Sequence, residues 1–259
     1  MPAELAEPSV LLDREGNLEL WFEERRSDGP RVRYATGNDG IHFTAIAGVV
    51  VAGSSPSAVA RKDGVDLVWQ DSAGLWGARF FAGVLEPPVA IATGYGAPTH
   101  LVQSDGGRLV FARRNSDGHV VAIGDLKDSV DIEPAQLIAP PYVLSASAID
   151  SPFVERAPQG GLLRLWLTVR AVESGPSLQF GESVPTPEND SIALLLQQGQ
   201  GPFVPFPYNP VLARTESITR HPFERAPSTI VKDGVRWLYY ERASLDGTTA
   251  ENLRVTRSP

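Results

Sequence analysis

A spaced pattern of proline, glycine and an aromatic residue recurs five times along the chain. The glycine follows the proline by seven to nine residues, and the aromatic residue follows the glycine by five. The five sets are Pro8, Gly16 and Trp21; Pro56, Gly64 and Trp69; Pro98, Gly106 and Phe111; Pro152, Gly161 and Trp166; Pro227, Gly234 and Tyr239. Short apolar runs flank each glycine, and pairs such as Asp63-Gly64 tolerate the positive φ angles of hairpin turns. The pattern therefore predicts one β-hairpin repeated five times, and the fold has to accommodate that repeat.

Further β-rich runs follow each hairpin. A third run occurs in every repeat, at residues 31–36, 77–81, 120–124, 191–197 and 253–257, and a fourth follows in four repeats. No stretch carries a sustained helical period, so we expect an all-β chain. Four strands in each of five repeats of roughly 50 residues predict a single five-bladed β-propeller with four-stranded blades. The propeller spans residues 1–259, with blades at about 7–52, 53–94, 95–140, 148–214 and 221–259. A two-sheet sandwich is the competing all-β fold, but it gives no reason for the fivefold spacing.

The last repeat stops before a fourth strand. Residues 254–259 are in phase with residues 33–38, which continue into a fourth β-rich run, whereas the sequence ends at Pro259. An exposed sheet edge is prone to pair with other strands. We therefore expect an incomplete last blade, unless residues 1–6 or the remainder of a longer protein supply the missing strand.

Charge and composition exclude several classes of partner. Lys and Arg total 23 against 31 for Asp and Glu, which gives a formal net charge of -8. A long nucleic-acid backbone or an anionic membrane surface would repel such a chain, so we expect neither partner. No cysteine is present, which excludes disulfides and thiolate chemistry. The sequence as given has no signal peptide and no apolar run of about 18 residues, so we expect a soluble protein and leave its compartment open.

The candidate binding and catalytic residues lie on one face of the predicted propeller. The residues ahead of each repeat proline and the loops after each second strand lie on this face, and so do the long segments 170–190 and 202–227, which favour a pocket wall. Candidate ligand contacts are the residues before the prolines, those two positions beyond the aromatic residues, and two histidines. In that order they are Glu7, Asp150, Glu224 and Arg225; Glu23, Asp71 and Arg113; His100 and His221. Thr168 and Glu241 hold the same place as the second group in the fourth and fifth repeats. The alternative for the charged members is an ionic ring in which they neutralise one another.

Three local motifs carry a family resemblance. They are the carboxylate of Glu7 beside Pro8, the segment Tyr34-Ala-Thr-Gly-Asn-Asp-Gly-Ile-His-Phe43, and Ile149-Asp150-Ser151-Pro152 in the fourth repeat. Together with five repeats, these motifs resemble the five-bladed glycoside hydrolases of family 43 and the related family 32. The resemblance implies that Glu7 occupies the place of the general base and Asp150 that of the general acid. Ala97 stands where the resemblance implies a third carboxylate that tunes the acid.

Three functions are consistent with these residues. The first is a glycan-processing enzyme, because glycosidic cleavage needs one acid to protonate the leaving oxygen and one carboxylate to activate water or attack carbon. The second is a catalytically degenerate propeller that binds carbohydrate or another small polar ligand in its central channel. The third is a scaffold for protein partners. We expect no cofactor, although the resemblance allows calcium in the channel, and we expect Glu7 and Asp150 to face each other with Arg225 close to one of them.

Overall fold

The computed structural model describes the backbone of most of the chain and the side chains of a smaller part of it. The backbone is described for residues 4–93, 100–105, 108–115, 118–127, 131–138, 148–156, 162–171, 189–199, 201–207, 209, 211, 223–243 and 250–258. Side-chain surroundings are described for residues 4–91, 151–155, 162–169, 191–199, 201–207, 209, 211, 225–242 and 253–258.

The first two sheets come from the first 93 residues. The first sheet contains four antiparallel strands in chain order, β1 (Glu4–Leu12), β2 (Leu18–Arg26), β3 (Gly29–Gly37) and β4 (Thr44–Ala52). The second sheet contains β5 (Ser54–Arg61), β6 (Gly64–Asp71), β7 (Gly74–Phe81) and two short pieces beside β7, namely β8 (Val84–Leu85) and β9 (Val89–Thr93). The outer position of the second sheet is thus occupied by two pieces instead of one strand.

The remaining sheets repeat this arrangement. The third contains β10 (His100–Asp105), β11 (Arg108–Asn115), β12 (Gly118–Lys127) and β13 (Asp131–Ile138). The fourth contains β14 (Ala148–Arg156), β15 (Leu162–Ala171), β16 (Asn189–Gln198) and β17 (Val204–Pro205). The last has three strands, β18 (Phe223–Lys232), β19 (Val235–Ala243) and β20 (Ala250–Ser258).

The sheets are arranged as a β-propeller. The first strand of each sheet contacts the first strands of its two neighbours, in the closed order β1, β5, β10, β14, β18 and back to β1. The prediction of an all-β propeller is confirmed, and the described residues contain no helix. Within the described residues, four sheets have four or more strands and the last has three, as the expectation of an incomplete last blade allowed.

The described residues at the start of the chain belong to the first sheet and not to the last. Residues 4–6 pair with β2 in the first sheet, where Glu4 lies opposite Arg25 and Ala6 opposite Glu23. Within the described residues, β20 is therefore the outer strand of the last sheet. No helix in this part of the chain is long and apolar enough to cross a membrane.

Four repeat prolines lie inside the first strands of their sheets, whereas Pro98 lies outside the described residues. β1, β5, β14 and β18 begin two to four residues before Pro8, Pro56, Pro152 and Pro227, and the pairing register shifts at each of these prolines. The residue before each proline has a left-handed backbone, with φ of 45° at Glu7, 50° at Ser55, 40° at Ser151 and 53° at Ala226. Each irregularity is a β-bulge, which interrupts the ladder where proline cannot donate a hydrogen bond.

Serines that follow the prolines connect the first strands of neighbouring sheets. Ser9 Oγ accepts the backbone N–H of Ala58 at 2.9 Å, and Ser228 Oγ accepts that of Val10 at 2.9 Å. Both serines are fully buried. An amide left unpaired in such a place would destabilise the fold by about 1–3 kcal/mol, so these hydroxyls hold adjacent sheets in register.

Aromatic side chains fill the space between the first two sheets. Trp21, Tyr34 and Phe80 contact one another with ring centroids 4.7–5.1 Å apart. Trp21 is completely buried, and Leu67 and Trp69 of β6 belong to the same cluster. The repeat aromatic of the first hairpin thus packs sheet against sheet.

The first and last sheets meet through a close glycine contact. The Tyr239 hydroxyl donates to the carbonyl oxygen of Gly40 at 2.9 Å. Burial and then the charge of Asp39 raise the pKa of Tyr239, so its hydroxyl keeps the proton that it donates. Gly40 has φ of +80°, and a Cβ there would lie 2.9–3.0 Å from three ring carbons of Trp237. Only glycine satisfies both the backbone and the space at this position.

We expect Gly40→Ala to destabilise the closure between the first and last sheets. The matched control is Gly83→Ala, because Gly83 has the same φ of +80° but no atom within 4 Å of the added Cβ. Gly83→Ala should lower the free energy of unfolding by about 1–2 kcal/mol, the cost of the left-handed backbone. Gly40→Ala should lower it by about 1–3 kcal/mol more, because the Trp237 ring has to move. Denaturant unfolding measures both, and equal losses would contradict the close contact.

We expect Ser9→Ala to lower the free energy of unfolding by about 1–3 kcal/mol, because it leaves the buried Ala58 N–H without an acceptor. Ser57→Ala is the control, since Ser57 is equally buried and its Oγ has no hydrogen-bond partner in the described part of the chain. Ser57→Ala should leave stability unchanged or raise it. Urea denaturation of both variants tests this difference, and a larger loss for Ser57→Ala would contradict it.

Candidate functional site

Charged side chains from the first and last sheets meet beside the bulge of β1. Strand alternation places Glu23 and Arg25 on one face of β2, and Glu24 and Arg26 on the other. The last sheet contributes Arg225 and Glu241, which lie opposite each other on β18 and β19. We call Glu7, Glu23, Arg25, Arg225 and Glu241 the ion-pair cluster.

Arg25 is the centre of the ion-pair cluster. Its Nε donates to Glu23 Oε1 at 2.8 Å, and its two terminal nitrogens reach the Glu241 carboxylate at 3.0 and 3.4 Å. Burial alone would lower the pKa of Arg25. The carboxylates of Glu241, Glu23 and Glu7 outweigh burial and raise that pKa, so the guanidinium stays charged beside all three.

Glu241 connects two arginines from different sheets. Its side chain has no exposed surface, and Arg225 Nε lies 3.3 Å from its Oε1. Arg25 and Arg225 are 34% and 21% exposed, so they form the solvent side of this pairing. A carboxylate buried so completely is tolerated because two guanidinium groups compensate its charge.

Side-chain oxygens on second strands accept hydrogen bonds from backbone N–H groups at the bulge of the next sheet. Glu23 Oε2 accepts the N–H of Ser55 at 3.2 Å, and Thr168 Oγ1 accepts the N–H of Ala226 at 2.9 Å. Ser55 and Ala226 both have the left-handed backbone described above. A polar side chain at this second-strand position therefore supports the bulge of the following sheet.

The structure brings some of the predicted site residues together. Glu23 and Arg225 belong to the ion-pair cluster with Glu7, which is half-buried on β1. Glu23 and Glu241 are engaged as the ionic-ring alternative describes, while contact of any of these residues with a ligand stays a prediction.

Asp71 lies apart from the ion-pair cluster. It is exposed, and its Oδ1 accepts the N–H groups of Ala73 and Gly74 in the turn after β6. The second hairpin has a two-residue turn, so Gln70 lies opposite Ser54 and Asp71 falls outside the pairing with β5. The spacing of proline, glycine and aromatic residue is the same as in the first hairpin, but the register is not.

The other predicted residues are placed only in part. Asp150 lies opposite Thr168 on β14, Glu224 opposite Arg242 on β18, His100 opposite Ala112 on β10, and Arg113 opposite Val120 on β11. These are backbone positions, and the side chains of the four predicted residues lie outside those described. His221 lies outside the described residues altogether. Facing carboxyls of Glu7 and Asp150 therefore stay a prediction.

Arg25 is the residue that the sequence analysis missed. Its signal is the run Glu23-Glu24-Arg25-Arg26, in which a period of two puts one glutamate and one arginine on each face of the strand. The structure contains a pair on each face, since Arg25 Nε donates to Glu23 Oε1 and Arg26 Nε donates to Glu24 Oε2, both at 2.8 Å.

The ion-pair cluster offers three carboxylates and two guanidinium groups. Carboxylates accept hydrogen bonds from sugar hydroxyls, and an ionised carboxylate can take a proton from water. Within the described side chains, no group of three or more His, Asp or Glu residues is arranged to hold a metal ion.

Comparison with known proteins finds similarity in fold. No protein-family model and no curated protein matches the chain. Among solved structures, it resembles an endo-arabinase from Bacteroides thetaiotaomicron, with a TM-score of 0.63, 14% identity, and coverage of 99% of this chain and 94% of that one. It also resembles the catalytic domain of a GH62 alpha-L-arabinofuranosidase from Coprinopsis cinerea, with a TM-score of 0.61, 11% identity and coverage of 97% and 89%.

A third similar structure contains a carbohydrate. It is an alpha-L-arabinanase from Cellvibrio cellulosa complexed with arabinohexaose, with a TM-score of 0.60, 10% identity and coverage of 98% of this chain and 91% of that one. At these identities the likeness establishes the propeller fold, and it extends over nearly the whole chain.

We expect Arg25→Met to lower the free energy of unfolding at pH 7 by about 3 kcal/mol, because it leaves buried carboxylates without their shared cation. The control is Arg26→Met on the opposite face, where a more exposed pair with Glu24 should contribute less than about 1 kcal/mol. Guanidinium denaturation measures both changes. Equal losses for Arg25→Met and Arg26→Met would contradict this account of the ion-pair cluster.

Proposed function

We propose that this protein is a glycan-processing enzyme that cleaves a glycosidic bond with Glu7 and Asp150. The observation that carries the proposal is that β1 and β14 each have a bulge at the repeat proline. Glu7 occupies the left-handed position before Pro8, and Asp150 directly precedes the left-handed Ser151 before Pro152. Equivalent bulges on first strands of different sheets would bring both carboxyl groups to the same end of the propeller.

The chemistry of the proposed reaction divides between the two residues. The Glu7 carboxylate takes a proton from a water molecule whose oxygen bonds to the anomeric carbon. The glycosidic bond breaks, its electron pair goes to the leaving oxygen, and Asp150 gives that oxygen a proton.

A five-bladed ring with a three-stranded last blade is part of this proposal, and the closed cycle of contacts among five first strands supports it.

Arabinose-containing glycans are the substrates to test first. The three similar structures are of an endo-arabinase, an alpha-L-arabinofuranosidase and an alpha-L-arabinanase complexed with arabinohexaose. A ligand of this type has many hydroxyl groups and no charge, which is compatible with an acidic protein.

Carbohydrate binding without cleavage is the second candidate, and one observation favours it. Arg25 draws the carboxylates around Glu7 into ion pairs, and Ala97 provides no carboxylate to tune an acid. Such a cluster would hold sugar hydroxyls as an anionic surface without transferring protons.

The test is hydrolysis of aryl glycosides, arabinan and arabino-oligosaccharides by the wild type, Glu7→Gln and Asp150→Asn. We expect wild-type turnover to fall by at least about 100-fold in each variant, because each removes one partner in proton transfer. Glu15→Gln, at an exposed turn position, is the control and should retain activity.

Binding measurements separate the two candidates. Arabinohexaose is titrated into the wild type and Glu7→Gln. Binding by the wild type without turnover, together with weaker binding by Glu7→Gln, would contradict the hydrolase and support the binding protein. Neither turnover nor binding across the panel would contradict both candidates.

A further inference from the structure

At two places among the described residues, a side chain of a second strand accepts a backbone N–H at the bulge of the next sheet. Glu23 of the first sheet supports Ser55 of the second, and Thr168 of the fourth supports Ala226 of the last. In both cases a side-chain oxygen accepts the N–H of a left-handed residue that precedes a repeat proline.

Glu241 holds the same position in the last sheet. Glu23 lies opposite Ala6, Thr168 opposite Asp150, and Glu241 opposite Arg225, and each of these partners immediately precedes the left-handed residue of its own strand. Because the sheets form a ring, the sheet that follows the last is the first. Its left-handed residue before proline is Glu7.

Two further observations bring Glu241 next to Glu7. β19, which carries Glu241, contacts β1, which carries Glu7. The Glu241 carboxylate also forms a two-point ion pair with Arg25 of the first sheet, at 3.0 and 3.4 Å. Glu241 therefore faces the first sheet beside the bulge and not solvent, in agreement with its complete burial.

We propose that Glu241 is a positioning residue for Glu7, whose backbone N–H it accepts while Arg25 and Arg225 hold its carboxylate in place. This inference rests on the proposed function of Glu7. A left-handed glutamate inside a strand is strained, and an acceptor fixed by two arginines would keep its backbone in that conformation. The direction of the Glu7 side chain, and hence of the reacting carboxylate, depends on that backbone.

Two substitutions at one position separate positioning from charge. Glu241→Thr places a hydroxyl acceptor at position 241, as the fourth sheet has at Thr168, whereas Glu241→Val has nearly the same shape without an acceptor. Both variants lose the ion pairs with Arg25 and Arg225 to the same extent. Any difference between them therefore reports the hydrogen bond and not the carboxylate charge.

Kinetics on the arabino-oligosaccharide that the wild type cleaves provide the first readout. We expect Glu241→Val to lower kcat by about 100-fold with little change in KM, since a reacting group displaced by about 1 Å loses that much rate. Glu241→Thr should recover at least about 10-fold of the loss. Equal kcat values for two folded variants would overturn the proposal, because a purely structural role of the carboxylate affects both alike.

Amide hydrogen exchange on the wild-type chain, Glu241→Val and Glu241→Thr provides the second readout and needs no activity. The Glu7 amide should exchange as slowly as those of Ser55 and Ala226, whose bonds to side-chain oxygens serve as internal references. Exchange of Glu7 at the rate of an exposed amide would overturn the proposal. If the wild type cleaves no glycan, the proposed function fails, while faster Glu7 exchange in Glu241→Val than in Glu241→Thr still decides whether Glu241 accepts the Glu7 N–H.

Discussion

The fold depends on backbone amides that a sheet cannot satisfy by itself. Four described repeat prolines, Pro8, Pro56, Pro152 and Pro227, interrupt the pairing of a first strand with its second strand, and buried residues flank the interruptions. The acceptors come from adjacent sheets, as Ser9 does for Ala58 and Thr168 does for Ala226. Since an unpaired buried amide is costly, the polar residues that supply these acceptors are as much a part of the core as the aromatic side chains.

In the part of the chain that the structure describes, side chains connect the first and last sheets. Val10, Leu20 and Phe22 of the first sheet form one apolar cluster with Trp237 and Tyr239 of the last. The same two sheets are also joined by the hydrogen bond from Tyr239 to Gly40 and by the ion pair between Arg25 and Glu241. The same contact that completes the fold therefore also assembles the ion-pair cluster, so stability and the candidate site share residues.

The sequence was sufficient to predict an all-β propeller, because turn chemistry and strand patterns are local. Gly16, Gly64 and Gly234 have the positive φ values that the hairpin pattern predicts. The bulges could not be predicted, because a proline at the opening of a strand and a proline inside a bulge look alike until the neighbouring sheet is known. Asp71 shows that equal sequence spacing does not ensure equal strand pairing. The shorter turn of the second hairpin places Gln70, and not Asp71, opposite Ser54. Glu23 was predicted as a ligand contact, but its partners Arg25 and Ser55 became evident only in three dimensions.

The closed cycle of first strands has a consequence for how the protein unfolds. In an open array of repeats, an end unit has one neighbour and can fray while the interior stays folded. Here every first strand has two neighbours, and β1 contacts β18 as well as β5. Opening any one contact leaves two exposed faces instead of one. We therefore expect the five sheets to lose structure as a single cooperative unit, with no stable partly folded ring between the native and unfolded states.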